Sequence, residues 1–133
     1  MKTILVDAIR TLVSEEGVMF EDLYELLESY PNRKIVLTGA DDAQVESFGL
    51  NDLPYEVFTL RHDPEKSDSR YYELMLERFG LSAGDVVYFE HNDAAVASAR
   101  SVGITALHYD PKVRDLQALR AFLDEQTSVR SRR

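Results

Sequence analysis

Cysteine is absent from this chain of 133 residues. Neither a disulfide nor a zinc–thiolate site can form without it, and the composition suits a reducing compartment. Long hydrophobic runs are absent as well. The N-terminal run has three apolar residues, 4–6, before a carboxylate, which is too short for a signal peptide or a membrane span. These absences predict a cytoplasmic protein with no membrane partner.

Basic residues are scarce, since 15 lysines and arginines stand against 24 acidic residues and give a net charge of -9. An acidic protein is repelled by nucleic-acid phosphates and by anionic membrane surfaces, which argues against both as principal partners. Three of the arginines close the chain, so we predict that residues 128–133 form a basic C-terminal tail, a frayed solubilising end. That tail is too short to reverse the charge of the rest.

The chain is long enough for one domain of ordinary size. Hydrophobic residues make up 44% of it and charged residues 29%, which is typical of a globular protein that buries a core. The sequence shows no internal repeat and no low-complexity stretch. We therefore predict a single domain over residues 1–127.

Short apolar runs alternate with stretches of helical periodicity along the chain. The runs are rich in β-branched and aromatic residues and are mostly unbroken, as in parallel strands covered on both faces. They are Thr3 to Val6, Lys34 to Thr38, Tyr55 to Leu60, Val86 to Phe89 and Ile104 to Leu107.

Four apolar patterns of helical period are distinct, over residues 20–30, 71–79, 95–102 and 113–123. Gly80 and Gly103 follow two of them as helix-ending residues. Five strands alternating with helices predict an α/β fold: a three-layer sandwich with a Rossmann-like, five-stranded parallel sheet and helices on both faces.

Ligands of such sheets bind beyond the carboxyl ends of the strands, so the polar residues at those ends are candidate site residues. Carboxylates there can act as nucleophiles or Mg²⁺ ligands, while hydroxyl groups, backbone N–H groups and an ammonium can hold a phosphate. The candidates are Asp7, Thr11, Thr38, Gly39, Lys66, Glu90, His91 and Asp93.

Four of these segments resemble, in order, the motifs of the haloacid dehalogenase-like (HAD) superfamily. The first motif is an apolar strand followed by Asp-x-Asp-x-Thr, and residues 4–11, ILVDAIRT, keep its first Asp and its Thr. The second is a strand that ends in Ser or Thr, which residues 35–39, IVLTG, match.

The third motif is a lysine ahead of a helix, matched by Lys66 and the segment that follows it. The fourth is a strand ending in acidic residues before a small-residue helix, which residues 86–93, VVYFEHND, resemble. The four matches span residues 1 to about 110. The resemblance implies a Mg²⁺-dependent phosphatase-like protein.

The resemblance also implies a role for each candidate. Catalytic roles fall to Asp7, Thr38 and Lys66, and substrate binding to Thr11, Thr38, Gly39 and Lys66. Mg²⁺ would be held by Asp7, by the backbone carbonyl of Ile9 and by Glu90, with Asp93 as a substitute. The implied substrate is a phosphorylated small molecule or protein.

Departures from the family pattern limit this interpretation. Ile9 stands where the family has the second Asp, which protonates the leaving group and then activates water. General acid–base catalysis contributes roughly 10²- to 10⁴-fold in rate. Arg10 replaces the customary glycine, His91 stands where a second acid is common, and Glu90 is one methylene longer than the usual Asp. His91 could also supply a replacement acid or base.

The spacing of the motifs leaves no room for a cap domain. Thirty residues separate Asp7 from Thr38, and 27 separate Thr38 from Lys66. The chain therefore resembles the capless branch of the family, whose open sites either accept large substrates or are covered by a neighbouring subunit. A homo-oligomer is one arrangement that would fit.

Two functions remain open. One is a hydrolase that performs phosphatase-like phosphoryl transfer through Asp7, with activity reduced or altered by Ile9. The alternative is an inactive pseudoenzyme that serves as a binding or assembly module. A receiver-like phosphoacceptor fits less well, because it expects its acidic pair near the first strand and its phosphoacceptor on a later one.

Overall fold

A computed structural model describes residues 1–127 of the chain. The predicted basic tail, 128–133, lies outside the described residues. The strands are β1 (Thr3–Asp7), β2 (Lys34–Thr38), β3 (Glu56–Thr59), β4 (Val86–Glu90) and β5 (Thr105–His108). The α-helices are α1 (Glu21–Glu28), α2 (Asp42–Ser47), α3 (Ser69–Phe79), α4 (Asp93–Ser101) and α5 (Leu116–Thr127), and short 3₁₀ helices span Leu50–Asp52 and Ala83–Asp85.

The five strands form one parallel sheet in the order β3-β2-β1-β4-β5. β1 is central, and its Ile4 pairs with Lys34 of β2 on one side and with Val87 of β4 on the other. The chain thus reverses its direction of progress across the sheet between β3 and β4. Such a switch point opens a crevice at the carboxyl ends of the two central strands, β1 and β4.

The predicted α/β fold with a five-stranded parallel sheet is confirmed. β1 and β4 each extend one residue beyond the predicted end, so their last residues are the carboxylates Asp7 and Glu90. Asp7 pairs with Leu37, and Glu90 pairs with His108. Both carboxylates are therefore fixed by the sheet ladder and do not lie in the following loops.

The predicted start of the last helix, at residue 113, is wrong. α5 begins at Leu116, and the Asp115 carboxylate accepts a hydrogen bond from the backbone N–H of Ala118 at 3.0 Å. Val113 lies in the preceding turn with 66% of its surface exposed. Val113, which extended the periodic pattern, is thus outside the helix, because Asp115 caps the helix two residues later.

Each face of the sheet carries its own hydrophobic core, since successive strand residues point to opposite faces. On β1, Ile4 and Val6 point to one face and Leu5 to the other. The first face is covered by the apolar sides of α1 and α5, and the second by those of α3 and α4. The covering residues include Leu23, Leu27, Leu119 and Leu123 on the first face, and Tyr71, Tyr72, Met75, Val96 and Ala99 on the second.

Two helices that border the site begin at side-chain caps. Asp68 accepts a hydrogen bond from the backbone N–H of Arg70 at the start of α3, and Asn92 accepts one from Ala95 at the start of α4. α3 ends at Gly80, whose φ of 66° is a left-handed conformation that glycine adopts without a Cβ clash. Within residues 1–127, no helix has the length and hydrophobicity that crossing a bilayer requires.

Candidate active site

Asp7 lies at the end of the central strand β1, with 1% of its surface exposed. Its Oδ2 accepts hydrogen bonds from the Thr11 hydroxyl at 2.6 Å and from the backbone N–H of His91 at 3.1 Å. The same oxygen contacts the His91 Nδ1, while Oδ1 accepts a hydrogen bond from the Lys66 ammonium at 2.8 Å. Asp7 is therefore held rigidly at the crevice between β1 and β4.

Lys66 precedes α3 and reaches across the carboxyl ends of the strands. Its ammonium donates to Asp7 Oδ1 at 2.8 Å, to Glu90 Oε1 at 2.6 Å and to the carbonyl oxygen of Leu37 at 3.2 Å. All three acceptors lie on different strands. The lysine thus places one positive charge between two buried carboxylates, where an ion pair is strong because the local dielectric is low.

Glu90 ends β4 and is fully buried. The Tyr88 hydroxyl donates to its Oε1, and the backbone N–H of Asn92 donates to its Oε2 at 3.0 Å. Tyr88 is in turn 3.1 Å from the Tyr72 hydroxyl of α3. The buried hydroxyl groups of Tyr72 and Tyr88 therefore form a hydrogen-bonded chain that ends at the Glu90 carboxylate.

His91 follows Glu90 directly and turns its ring toward both carboxylates. Its Nδ1 contacts Asp7 Oδ2 and lies 3.3 Å from Glu90 Oε2. Its carbonyl oxygen is 2.8 Å from His108 Nε2, which fixes the backbone at this turn. Each carboxylate therefore has one oxygen facing Lys66 and the other facing His91.

The mutual charges of this cluster shift the pKa values of its members. Burial alone would raise the pKa of Asp7, but the charge of Lys66 and the hydrogen bond and charge of His91 hold that pKa well below its usual range. Burial also opposes the charge of Lys66, and the two carboxylates raise the pKa of the lysine above its ordinary value.

Glu90 and His91 shift in the same direction for different reasons. Burial, with the charge of Asp7 added, raises the pKa of Glu90 despite the opposing effect of Lys66. The hydrogen bond to Asp7 raises the pKa of His91, and burial only partly offsets it. Asp7 is thus the more acidic of the two carboxylates.

Thr38 and Gly39 end β2 beside this cluster. The Thr38 hydroxyl accepts a hydrogen bond from the backbone N–H of Ala40 at 3.1 Å, and its carbonyl accepts one from the Tyr71 hydroxyl at 2.7 Å. A Cβ added at Gly39 would lie 3.1 Å from the Glu65 Oε1. A Cβ at this position would therefore contact only the flexible end of the Glu65 side chain closely.

A cavity of about 280 Å³ opens above Asp7 and is lined by residues that the sequence singled out. They are Asp7, Ile9, Thr38, Gly39, Lys66 and His91. A larger cavity of about 580 Å³ lies at the start of α1, and its lining includes Thr11 but neither Asp7 nor Glu90. The smaller cavity is the candidate active site, because it has the ionised carboxylate and the ammonium in its wall.

Two predicted residues have other surroundings. Thr11, expected to bind substrate, is buried and donates its hydroxyl to Asp7, so it positions the carboxylate. The Asp93 side chain, expected as a substitute metal ligand, is 90% exposed and lies 3.2 Å from His108 Nε2. It begins α4 facing away from Asp7 and Glu90, and it does not join their cluster.

Arg10 adopts a left-handed backbone conformation, with φ at 72°. This is the position at which glycine is customary in the HAD pattern, and a non-glycine residue there is strained by roughly 1 kcal/mol. Its guanidinium Nε lies 3.3 Å from Glu15 Oε1 at the surface. Arg10 therefore adopts a backbone conformation that glycine would adopt more readily.

Sequence reasoning missed several residues of the site. The lining of the cavity also includes His62 and Gln44, whose Nε2 and Oε1 atoms are 2.6 Å apart. The hydroxyl groups of Tyr72 and Tyr88 lie 3.1 Å apart, and that of Tyr88 donates to Glu90. Strand alternation could have indicated Tyr88, because it points to the same face as Glu90 two residues later.

The donors at the site bear on which cation it could hold. Asp7, Glu90 and His91 each offer one ligand atom, and these atoms lie within 4.8 Å of one another. Mg²⁺ prefers an octahedral shell made of oxygen, whereas one of these three donors is an imidazole nitrogen. The described side chains therefore fit a divalent cation, but they do not form the all-oxygen set that Mg²⁺ prefers.

No family model and no curated protein matches the chain. Solved structures do match it. A HAD family enzyme from Bacteroides thetaiotaomicron is 12% identical with a TM-score of 0.72 over 90% of this chain and 98% of that one. The wild-type complex of that enzyme with magnesium and inorganic phosphate gives a TM-score of 0.66 at 12% identity, over 84% and 95% of the two chains.

A HAD-superfamily hydrolase of subfamily IA from Geobacter sulfurreducens is 13% identical with a TM-score of 0.64. The match covers 82% of this chain and 87% of that one. At such identities the likeness concerns the fold. The chain therefore has the α/β fold of HAD-superfamily hydrolases, as the order of its motifs predicted.

Proposed function

We propose that the protein performs phosphatase-like phosphoryl transfer through Asp7, with activity limited by Ile9. The observation that carries the proposal is the ammonium of Lys66, which joins Asp7 and Glu90 beside a cavity lined by Thr38 and Gly39. An ionised carboxylate, a fixed cation and backbone N–H groups at a strand end are the components that phosphoryl transfer requires. The HAD fold supports the same assignment.

The proposed first step is attack by an Asp7 oxygen on phosphorus, which breaks the bond between phosphorus and the leaving-group oxygen. Oδ2 accepts hydrogen bonds from Thr11 and His91, whereas the described residues give Oδ1 only the Lys66 ammonium. We therefore assign the attack to Oδ1. The ammonium would then neutralise charge on the phosphoryl oxygens as the bond forms.

Ile9 determines which substrates could react. Its side chain lines the cavity where a family member has the proton donor, and it can neither protonate a leaving group nor deprotonate water. Acyl phosphates and aryl phosphates have leaving groups that depart without a proton. The phosphoryl group would then remain on Asp7, because the second step also needs a base for the attacking water.

A divalent cation bound by Asp7 and Glu90 would neutralise phosphate charge and orient the phosphoryl group. Mg²⁺ is the ion that the family resemblance implies, and the structure of the Bacteroides enzyme is that of its complex with magnesium and inorganic phosphate. The substrate we propose is a phosphorylated small molecule or protein. An open site without a cap suits a large substrate or coverage by a second subunit.

Exposure to acetyl phosphate and a divalent cation tests the proposal. We expect the intact mass to increase by one phosphoryl group, and we expect the adduct to persist and to map to Asp7. Asp7→Asn should abolish the adduct. Asp52→Asn, which removes an exposed carboxylate, is the matched control and should keep it. An unmodified wild-type mass, together with no turnover of aryl phosphates, would refute phosphoryl transfer through Asp7.

A second variant tests the role of Ile9. Ile9→Asp supplies the missing acid and base, and we expect aryl-phosphate turnover to rise by roughly 10²- to 10⁴-fold. Ile9→Asn changes size and polarity in a similar way but cannot transfer a proton. Equal rates for the two variants would show that the loss of activity has another cause.

The alternative is a pseudoenzyme that serves as a binding or assembly module. One observation favours it: Lys66 and His91 already occupy both oxygens of Asp7, so the carboxylate is fully paired without a ligand. The acetyl phosphate experiment separates the two proposals. A protein that folds normally, stays unmodified and gains nothing from Ile9→Asp would have the pseudoenzyme function.

A further inference from the structure

His91 changes the chemistry of the cation site. In the HAD pattern that the sequence resembles, a second acid is common at this position. Here an imidazole follows Glu90 instead. Its Nδ1 faces Asp7 Oδ2 and Glu90 Oε2, the two oxygens that Lys66 leaves uncovered. Two carboxylate oxygens and one nitrogen thus converge on one side of the cluster.

We propose that Asp7, Glu90 and His91 form a binding site for a transition-metal cation, of the Zn²⁺ and Co²⁺ class, in preference to Mg²⁺. Imidazole nitrogen is a ligand for zinc, cobalt and related ions, whereas Mg²⁺ takes oxygen. The inference deepens the proposed function, since the cation would serve the same carboxylates. It does not require turnover to be tested.

The spacing of the donors suits such an ion. In a tetrahedral zinc site with metal–ligand distances of about 2.0–2.1 Å, neighbouring donors lie about 3.3 Å apart. His91 Nδ1 lies 3.3 Å from Glu90 Oε2. The contact between His91 Nδ1 and Asp7 Oδ2 is shorter, and an ion would replace it and separate the two atoms. The Nδ1 proton leaves when the metal binds.

The surroundings of the three ligands also favour a metal. Asp7 Oδ2 accepts a hydrogen bond from Thr11, and Glu90 accepts one from Tyr88 and one from the backbone N–H of Asn92. Partners of this kind orient metal ligands and are needed for tight binding. Since His91 keeps 20% of its side chain exposed and lines the cavity, the ion has a route from solvent.

Charge complements this geometry. When the imidazole is neutral, the two buried carboxylates and the one ammonium leave one negative charge at the crevice. The chain has no cysteine to compete for a soft cation. Its two other histidines are His62, which lines the cavity and pairs with Gln44 and Glu65, and His108, whose Nε2 is 2.8 Å from the His91 carbonyl oxygen.

Metal binding to the full chain, without substrate, tests the inference. We expect titration calorimetry to give one Zn²⁺ per chain, with Zn²⁺ and Co²⁺ bound more tightly than Mg²⁺. Co²⁺ should give a visible absorption spectrum with intensity typical of a nitrogen-containing site. Binding of Zn²⁺ should also shift the ring signals of His91 in the NMR spectrum and leave those of His62 in place.

His91→Asp provides the decisive variant, because it converts the site to all-oxygen ligands. We expect its preference for Zn²⁺ over Mg²⁺ to fall by roughly tenfold or more. Even the mutation of a residue that only hydrogen-bonds to a metal ligand changes metal affinity by about 10- to 100-fold. Asp52→Asn, which removes an exposed carboxylate outside the site, is the control and should keep the wild-type preference. If His91→Asp does not fold, His91→Asn replaces it in the experiment. We expect that variant to bind Zn²⁺ more weakly than the wild type as well.

Two outcomes would overturn the inference. One is an unchanged ratio of Zn²⁺ to Mg²⁺ affinity in His91→Asp, because the imidazole would then not be a ligand. The other is wild-type protein that binds no divalent cation, which would mean that His91 and Lys66 close the site. Neither outcome depends on phosphoryl transfer. A protein that binds Zn²⁺ through His91 but neither forms an adduct with acetyl phosphate nor turns over aryl phosphates would support this inference and refute the proposed function.

Discussion

At the scale of single residues, the candidate site depends on how two buried carboxylates are compensated. Asp7 and Glu90 are almost wholly removed from water, which would be unfavourable for two like charges without nearby cations. Lys66 contacts one oxygen of each, and His91 faces the other oxygen of each. The same residues therefore determine both the stability of this region and the chemistry that is available to Asp7.

Lys66→Met leaves both carboxylates without their shared ammonium. We expect the free energy of unfolding to fall by about 3–5 kcal/mol, the usual cost of removing one partner from a buried ion pair. Urea denaturation measures the change. Lys112→Met removes an exposed lysine and should alter stability by less than about 0.5 kcal/mol. Equal losses in the two variants would show that the buried pairing contributes nothing.

His91 makes stability depend on pH in a defined direction. Because its folded pKa lies above its unfolded value of about 6.5, its contribution is complete below that pH and is lost as pH rises through the folded pKa. We expect the free energy of unfolding, measured with a chelator present, to be higher near pH 6 than near pH 9.

The His91→Asn variant isolates this contribution from those of the surrounding groups. Asp7, Glu90 and Lys66 face the imidazole and remain in the variant. The decline between about pH 6 and pH 9 should therefore be smaller in His91→Asn than in the wild type. Parallel pH profiles for the two proteins would contradict the assignment.

At the scale of elements, capping residues determine where the helices begin and end. α3 follows Lys66 and carries Tyr71 and Tyr72, whose hydroxyl groups contact Thr38 at the end of β2 and Tyr88 in β4. Its start is capped by Asp68 and its end by Gly80 in a left-handed conformation. The caps therefore fix the position of α3, and with it the positions of the two tyrosine hydroxyl groups beside the site.

Gly80→Ala tests the end of α3. A Cβ at this position would meet nothing within 4 Å, so the expected loss of about 1 kcal/mol comes from the backbone conformation alone. Gly84 also has open space around it but no positive φ. Gly84→Ala should leave stability unchanged or raise it by up to about 1 kcal/mol. Thermal unfolding measures the stability of both variants. Similar changes in stability for Gly80→Ala and Gly84→Ala would refute the conformational explanation.

At the scale of the whole molecule, the sheet is covered on both faces and β1 lies at its centre. Leu5, in β1, belongs to the core beneath α3 and α4 and is completely buried. The neighbouring Ile4 and Val6 belong to the core beneath α1 and α5. A change in β1 therefore affects the layer on which Asp7 depends for its position.

Leu5→Ala opens a cavity in this central layer. We expect a loss of about 2–5 kcal/mol in the free energy of unfolding, from lost burial and incomplete relaxation around the cavity. Leu74→Ala removes the same atoms from a leucine on α3 that is 41% exposed, and it should cost much less. Guanidinium denaturation compares them. Equal costs would mean that the second core does not behave as a packed interior.

The fold could be predicted largely from the sequence, because hydrophobic periodicity reports burial on each face directly. The strands were placed within one residue at each end, and the parallel sheet is confirmed. The start of α5 was missed, since the apolar period continued through Val113 although Asp115 caps the helix. Periodicity indicates which face is apolar, and it does not locate a helix end.

The candidate site could be predicted only in part. Asp7, Lys66 and Glu90 were expected at one edge of the sheet and are in contact there. The contact of His91 with Asp7 joins residues 84 positions apart, and the hydroxyl groups of Tyr72 and Tyr88 meet across α3 and β4. The strand-end rule places residues at one edge of the sheet, but it does not give the direction in which each side chain turns, so these contacts could not be predicted.

The sequence by itself determined the alternation of strands and helices, the carboxylates at two strand ends and the absence of an acid at Ile9. These follow from the order of residue types, which local physics converts into elements. Only the tertiary structure decided that His91 turns toward Asp7 while Asp93, two residues later, points to solvent. The turn from β4 into α4 sets those directions, and packing of α4 against the sheet fixes the turn.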